Sequence, residues 1–216
     1  MTLRVKNLTI RHRQSQLCLC DNANFVIEPG RVLTLMGPSG CGKSTLLASL
    51  AGHLAPDFHL TGSATLAQTE LLDLPAHQRQ VGILFQQDCL FPHLNVWENL
   101  AFALPNHIKG KARRQHALDA LATLELNAIA EHFPQQISGG QRARISLLRM
   151  LLAQPKLALL DEPFSQLDAK LRTQFRDWVF AELRRANIPT LLVTHDSQDA
   201  PNGQTVIHWP LENHHA

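Results

Sequence analysis

Gly37-Pro38-Ser39-Gly40-Cys41-Gly42-Lys43-Ser44-Thr45 decides the reading of this chain. The stretch follows an apolar run, Val32-Leu33-Thr34-Leu35-Met36, and leads into Leu46-Leu47-Ala48-Ser49-Leu50, where a strand hands over to a helix. Glycines at 37, 40 and 42 let the backbone fold inward, so that successive N–H groups and the helix N-terminus converge on an anion. Lys43 is spaced to reach the β- and γ-phosphates of a nucleotide, Ser44 to ligate Mg²⁺ and Thr45 to steady the phosphates. A plain glycine-rich turn needs no Lys-Ser at this offset.

Composition bounds the rest. A chain of 216 residues with 44% apolar residues is long enough for a sizeable core. Its net charge of +2 is too mild to argue for a nucleic-acid partner. The basic cluster Lys109-Gly110-Lys111-Ala112-Arg113-Arg114 has no interleaved aromatic residues and is expected to be a solvated helix face. Twelve histidines lack ligand spacing, and His214-His215 is expected to be a mobile tail. Cysteines at 18, 20, 41 and 89 form no disulfide or zinc framework, which suits a reducing compartment. Cys18 and Cys20 are expected to be small strand residues on one face. No stretch reaches the roughly 18 apolar residues of a membrane span, and no signal-peptide pattern opens the chain.

Along the chain, residues 3–10 alternate as a half-buried strand, and a second strand is expected near 17–27. Glu28-Pro29-Gly30 turns the chain into the strand that feeds the phosphate loop. The helix beginning near 43 ends at Gly52, and 53–80 is expected to be a looser stretch. Val81-Gly82-Ile83-Leu84-Phe85 reads as a short strand. Helices are expected at Val96–Leu104, Lys111–Leu124, near 127–132 and at Gln141–Ala153. Leu157-Ala158-Leu159-Leu160 and Thr190-Leu191-Leu192-Val193-Thr194 are apolar runs suited to parallel strands covered on both faces, with a long helix over 169–186 between them. A last strand is expected at 204–208.

Two further constellations carry chemistry. Ser138-Gly139-Gly140-Gln141 stands directly before a helix, where it is either an ordinary cap with Ser138 as N-cap or a second set of anion-binding N–H groups. Asp161-Glu162 ends the apolar run 157–160. There Asp161 can hold Mg²⁺ through water, and Glu162 can orient the water that attacks a γ-phosphate.

Together these segments resemble the nucleotide-binding subunit of an ATP-binding cassette (ABC) transporter. Phe85-Gln86 followed by Leu90-Phe91-Pro92-His93-Leu94 is similar to the Q-loop segment of bacterial importer ATPases. Ser138–Gln141 resembles the family signature, Ser165-Gln166-Leu167-Asp168 the D-loop, and His195 in Val193-Thr194-His195-Asp196 the switch histidine. The resemblance runs from about residue 3 to 199. It implies an α/β fold: a P-loop NTPase core with an antiparallel β subdomain (1–89 and 154–216) and an inserted α-helical signature subdomain (90–153), in one ABC ATPase domain.

It also implies ATP and Mg²⁺ as cofactors and a sandwich homodimer, each ATP lying between one subunit's phosphate loop and the other's signature. Gln86 would touch the metal or the attacking water, and His195 would hold the γ-phosphate and the Glu162 geometry. A membrane permease would dock beside the Q-loop, where Leu90, Phe91, Leu94 and Trp97 are either groove lining or core. A periplasmic or surface solute-binding protein completes such systems, and the subunit works on the cytoplasmic face of the inner membrane. The Leu-Phe-Gln, Phe-Pro-His-Leu and Asp-Glu-Pro-Phe-Ser segments look most like thiamine, iron and molybdate importer ATPases, without naming a solute.

Two departures stand out. His12 occupies the position that commonly carries the adenine-stacking aromatic, and the chain has no tyrosine. The stretch after His195 is short, so a C-terminal regulatory β-domain is not expected. The span from Gly37 to Ser138 leaves no room for the coiled-coil arm of soluble DNA-repair relatives. Lys43, Gln86, Asp161, Glu162 and His195 together argue against a regulator that does not hydrolyse. An exporter motor and a soluble translation or DNA-maintenance ATPase are the alternatives to an importer.

Overall fold

In the computed structural model, residues 1–85 and 87–210 are described. The chain divides into two compact units, Met1–Ile83 with Lys156–Glu162 and the residues from Asp177 onward, and Leu84–Pro155 with Pro163–Arg176.

The first unit holds two sheets. Strands β1 (Leu3–His12) and β2 (Cys18–Ile27) form an antiparallel hairpin, and β4 (Phe58–Leu66) and the short β5 (Thr69–Glu70) extend it in the order β2-β1-β4-β5. The stretch 53–80 is therefore more ordered than its sequence predicts. Phe58, Leu60, Ala64 and Leu66 do alternate, but Gly62 interrupts the pattern, and β1 shifts register between Lys6 and Thr9 opposite it. Pairing with β1 makes this segment a strand; its own propensity is weak.

The second sheet has the order β6-β7-β8-β3-β9. Its strands are β3 (Val32–Met36), β6 (Val81–Leu84), β7 (Leu157–Asp161), β8 (Thr190–Thr194) and β9 (Thr205–His208). The pairs β3·β8, β7·β8 and β3·β9 are parallel. Helix α1 (Lys43–Ala51) follows β3, and the core of the unit gathers Leu33, Leu35, Leu46, Leu47, Leu50, Leu157, Leu159, Leu191 and Val193. Each such side chain contributes about 1.5–3 kcal/mol when fully buried. This is why the strands nearest the phosphate loop are mostly apolar and almost wholly buried, Thr34 in β3 included.

A buried arginine finishes the support of α1. Arg79, 7% exposed, donates from Nη1 to the carbonyls of Ser49 (2.7 Å) and Leu50 (2.9 Å) and from Nε to that of Leu74 (2.8 Å). Carbonyls at a helix C-terminus have no partner within the helix, and a cation there also opposes the negative end of the dipole.

The second unit is helical: α2 (Val96–Ala103), α3 (Gly110–Ala122), α4 (Gly139–Leu152) and the start of α5 (Ala169–Arg185). Asn95 caps α2 in a capping box with Glu98. The wholly buried Asn99 amide donates to Leu94 O and accepts from Phe91 N–H, which fixes the loop before α2. Leu100, Leu121, Ile145 and Leu147 are fully buried in this unit.

Candidate functional site

The phosphate loop is built between β3 and α1. Gly42 is the N-cap of α1 at φ 91°, a left-handed conformation costly for a side-chain-bearing residue, and a Cβ there would meet Leu19 Cβ at 2.9 Å. Lys43 is 5% exposed, and its Nζ donates to Gly37 O (2.9 Å) and Pro38 O (2.6 Å). The ammonium is thus held across the loop by the loop's own carbonyls. The Cys41 thiol donates to Pro38 O at 2.9 Å and lies 3.6 Å from Lys43 Nζ. Ser39, Gly40 and Ser44 are exposed on the same loop, whereas Thr45 is half-buried.

Beside the loop, the Ser44 hydroxyl donates to the Asp161 carboxylate at the end of β7. Burial raises the Asp161 carboxyl above the ordinary carboxylate range and the neighbouring Glu162 charge adds to this, against the Ser44 hydrogen bond and the Lys43 charge. Two oxygen donors already in contact, one a half-buried carboxylate, are the hard ligand set that suits Mg²⁺.

Glu162 follows Asp161 at φ 47°, and its N–H donates to Val193 O at 2.9 Å. Non-glycine residues in this region carry strain that the surroundings must hold in place. His195 Nδ1 lies 3.0 Å from Glu162 Oε1; the carboxylate is 14% exposed and the imidazole 56%. A carboxylate only accepts, so Nδ1 carries the proton. The turn after β8 is tied down by Asp199, 2% exposed, which accepts from Thr194 Oγ1 at 2.7 Å.

His12 ends β1 on the hairpin whose Leu19 packs against Gly42. Its Nδ1 accepts from Ser15 N–H (3.1 Å) and stands 2.9 Å from Ser15 Oγ. The ring meets Phe58 edge-on, with centroids 5.4 Å apart.

In the second unit, Ser138 is the N-cap of α4 in a capping box: Gln141 N–H donates to Ser138 Oγ (3.2 Å) and Ser138 N–H to Gln141 Oε1 (2.8 Å). Gly139 and Gly140 open the helix, leaving their N–H groups at its positive end. Gln86 lies outside the described residues, and so do His214 and His215. The residues just after Gln86 are anchored to α4: Arg142 Nε donates to Asp88 Oδ2 (2.8 Å), Ser146 Oγ to Asp88 O (2.6 Å) and Arg149 Nη2 to Cys89 O (2.9 Å). Arg142 also reaches Ile137 O at 2.9 Å, so one side chain spans the Asp88 segment and the residue before Ser138. Leu90 is core at 8% exposure, whereas Phe91, Leu94 and Trp97 are half-buried. Phe91 packs edge-on against Phe102, which is 66% exposed.

Sequence reasoning missed Asp199, the Asp88–Arg142 pair and Trp209, whose indole Nε1 donates to Cys41 O in the phosphate loop. Asp199 and Asp88 carry no local signal. Trp209 stands out only as a tryptophan just past a short strand. The first unit thus offers a buried cation and loop N–H groups for a polyanion, an oxygen pair for a divalent cation, and a Glu–His pair able to hold a water.

Comparisons with known proteins bear on this arrangement. The family described as ABC transporter matches residues 20–165. The chain is 50% identical over 203 residues to the ABC transporter ATP-binding protein YnjD of Escherichia coli (strain K12), covering 94% of this chain and 93% of that protein. It is 42% identical over 185 residues to the sulfate/thiosulfate import ATP-binding protein CysA of Bordetella bronchiseptica and 39% identical over 207 residues to that of Cucumis sativus. These matches take in 83% and 93% of this chain, which spans only 51% and 57% of those two relatives. Among solved structures, a dimeric ATP-binding cassette in a post-hydrolysis state with ADP and Pi superposes with a TM-score of 0.83 at 30% identity, covering 95% of this chain and 93% of that one.

Proposed function

The chain belongs to the ABC transporter family of ATP-binding proteins, and from that premise we propose that it is the ATP-hydrolysing motor of a bacterial importer of a small solute. The Glu162–His195 pair beside the Ser44–Asp161 contact carries the reading, because it sets a water-positioning carboxylate next to a metal-binding pair and a buried lysine. Members of this family bind and hydrolyse ATP, with Mg²⁺ as the usual partner ion.

In this proposal the loop N–H groups and Lys43 hold the β- and γ-phosphates, and Ser44 and Asp161 hold Mg²⁺. The metal neutralises charge that develops on the phosphate oxygens. Glu162 orients the attacking water and accepts its proton, and His195 fixes the Glu162 carboxylate. Little covalent chemistry is required of the protein, so positioned charge suffices. Ser138, Gly139 and Gly140 at the positive end of α4 are assigned to the γ-phosphate bound by a second copy, which makes ATP the bridge of a homodimer. The relative solved as a dimer with ADP and Pi supports that assembly.

Import is favoured by the Phe91-Pro92-His93-Leu94 segment and by the relatives named as sulfate/thiosulfate import proteins. No described helix is long and apolar enough to cross a membrane. In this proposal a permease holds the motor at the cytoplasmic face of the inner membrane. Co-purification of the tagged chain from detergent-solubilised cells tests this. A polytopic membrane protein in the eluate, lost in a Phe91→Glu variant, is the expected result. Ribosomal or DNA-associated proteins without a membrane protein would overturn the transport reading.

A further inference from the structure

Trp209 lies just past β9 and is 3% exposed. Strand β9 pairs with β3 in parallel with His208 opposite Met36, so the next residues, Trp209 and Gly37, are neighbours. Three groups of Trp209 engage the phosphate loop. Its backbone N–H donates to Met36 O at 2.6 Å, and its indole Nε1–H donates to Cys41 O at 2.9 Å. Its carbonyl oxygen sits so close to Gly37 that a Cβ there would stand 2.0 Å from it. Glycine is required at 37 by this approach, independently of any phosphate.

The consequence follows from peptide planarity. A trans peptide carries its C=O and the following N–H on opposite sides. With Cys41 O held by the indole, the Gly42 N–H is turned away from Trp209. The Met36 carbonyl, held by the Trp209 N–H, turns the Gly37 N–H in the same manner. Pro38 O, which accepts from Lys43 Nζ and the Cys41 thiol, likewise sets the direction of the Ser39 N–H. A phosphate loop works by presenting several N–H groups to one side, so the groups that hold its carbonyls determine the side it presents.

We propose that Trp209 is a positioning residue of the nucleotide site, its indole N–H fixing the Cys41–Gly42 peptide so that the loop meets the phosphates of a nucleoside di- or triphosphate already oriented. This rests on the ATP-site reading above. A tryptophan that merely filled space would use its ring alone. Here the polar edge of the ring reaches the carbonyl of a loop residue, and a ring without that edge leaves the carbonyl unpaired.

Trp209→Phe keeps an aromatic ring and removes the donor. The expected result is a rise of about fivefold or more in the Kd for MgADP by titration calorimetry and in KM for ATP, with kcat per folded site changing less than KM. Lost packing alone would lower Tm and the folded fraction while leaving Kd and KM as in wild type, and that outcome overturns the proposal. Should the variant fail to fold, wild-type protein with ¹⁵N-labelled tryptophan indoles decides. The chain has three tryptophans, and the Trp209 resonance, assigned with W97F and W178F, is expected to shift on saturation with MgADP. A resonance that stays in place overturns the proposal. Failure of wild-type protein to bind MgADP at all is a separate result, which removes the ATP-site reading and this inference with it.

Discussion

His195 Nδ1 stands 3.0 Å from Glu162 Oε1, joining the residue just past β7 to the residue just past β8. The two strands run parallel with Asp161 opposite Val193, and the Glu162 N–H donates to Val193 O. The contact is thus a product of strand register: a shift of one residue would turn one of the two side chains to the other face of the sheet.

If Glu162 positions the attacking water, E162Q keeps the shape of the site and loses the base. MgATP binding is expected to persist, steady-state hydrolysis to fall by about a hundredfold or more, and a nucleotide-dependent dimer to accumulate in size-exclusion chromatography. Hydrolysis at the wild-type rate would remove Glu162 from the mechanism.

Arg79 is a stability determinant of the phosphate-loop helix. Burial pushes its guanidinium below the usual arginine range despite the charge of Glu70, yet it satisfies two carbonyls at the end of α1 and that of Leu74. Arg79→Ala is expected to cost about 3 kcal/mol, read as a lowered midpoint in urea with an unchanged slope. A midpoint within error of wild type would show that water replaces the guanidinium at no cost.

Glu70 gives the fold a pH dependence. Burial acts to raise its carboxyl, but hydrogen bonds from the Ser63 hydroxyl and the Ala64 and Leu72 N–H groups outweigh it and hold the carboxyl below the ordinary value. A lowered folded-state pKa contributes stability that is fully present above the unfolded-state value and is lost as pH falls through the folded one. Glu70→Gln should therefore melt at a lower temperature than wild type at pH 7, with the gap closing below the ordinary carboxylate range. A gap independent of pH would mean that the carboxylate charge contributes nothing.

The cysteines should differ in reactivity. Burial pushes the Cys20 thiol up to about 12, whereas Cys89 is exposed and Cys41 half-buried in the phosphate loop. Limited iodoacetamide treatment of the native protein, mapped by peptide mass spectrometry, is expected to label Cys89 and Cys41 and to spare Cys20. MgATP should protect Cys41 alone, and protein alkylated at Cys41 should lose nucleotide binding. Normal binding by the modified protein would contradict the loop geometry.

Much of this was legible in the sequence for definite reasons. The strands β3, β7 and β8 are mostly apolar runs because both faces of a central parallel sheet are covered. The Gly-Lys-Ser spacing follows from what a loop must do around a phosphate. Ser138 and Gln141 announced a helix start through their spacing, and the structure forms both hydrogen bonds of that cap. Strand β4 was obscured, since Gly62 breaks its alternation and its pairing partner lies far away at β1.

The sequence by itself determined the order of elements, the phosphate loop and the acidic pair at the end of β7, because these depend on residue types at short spacing. Tertiary structure alone decided that His195 meets Glu162, that Arg79 finishes α1, that Arg142 bridges Asp88 to the residue before Ser138, and that Trp209 clamps Cys41. Each of these joins residues distant in the chain. Their meeting depends on sheet order, register and side-chain packing, which no local pattern encodes.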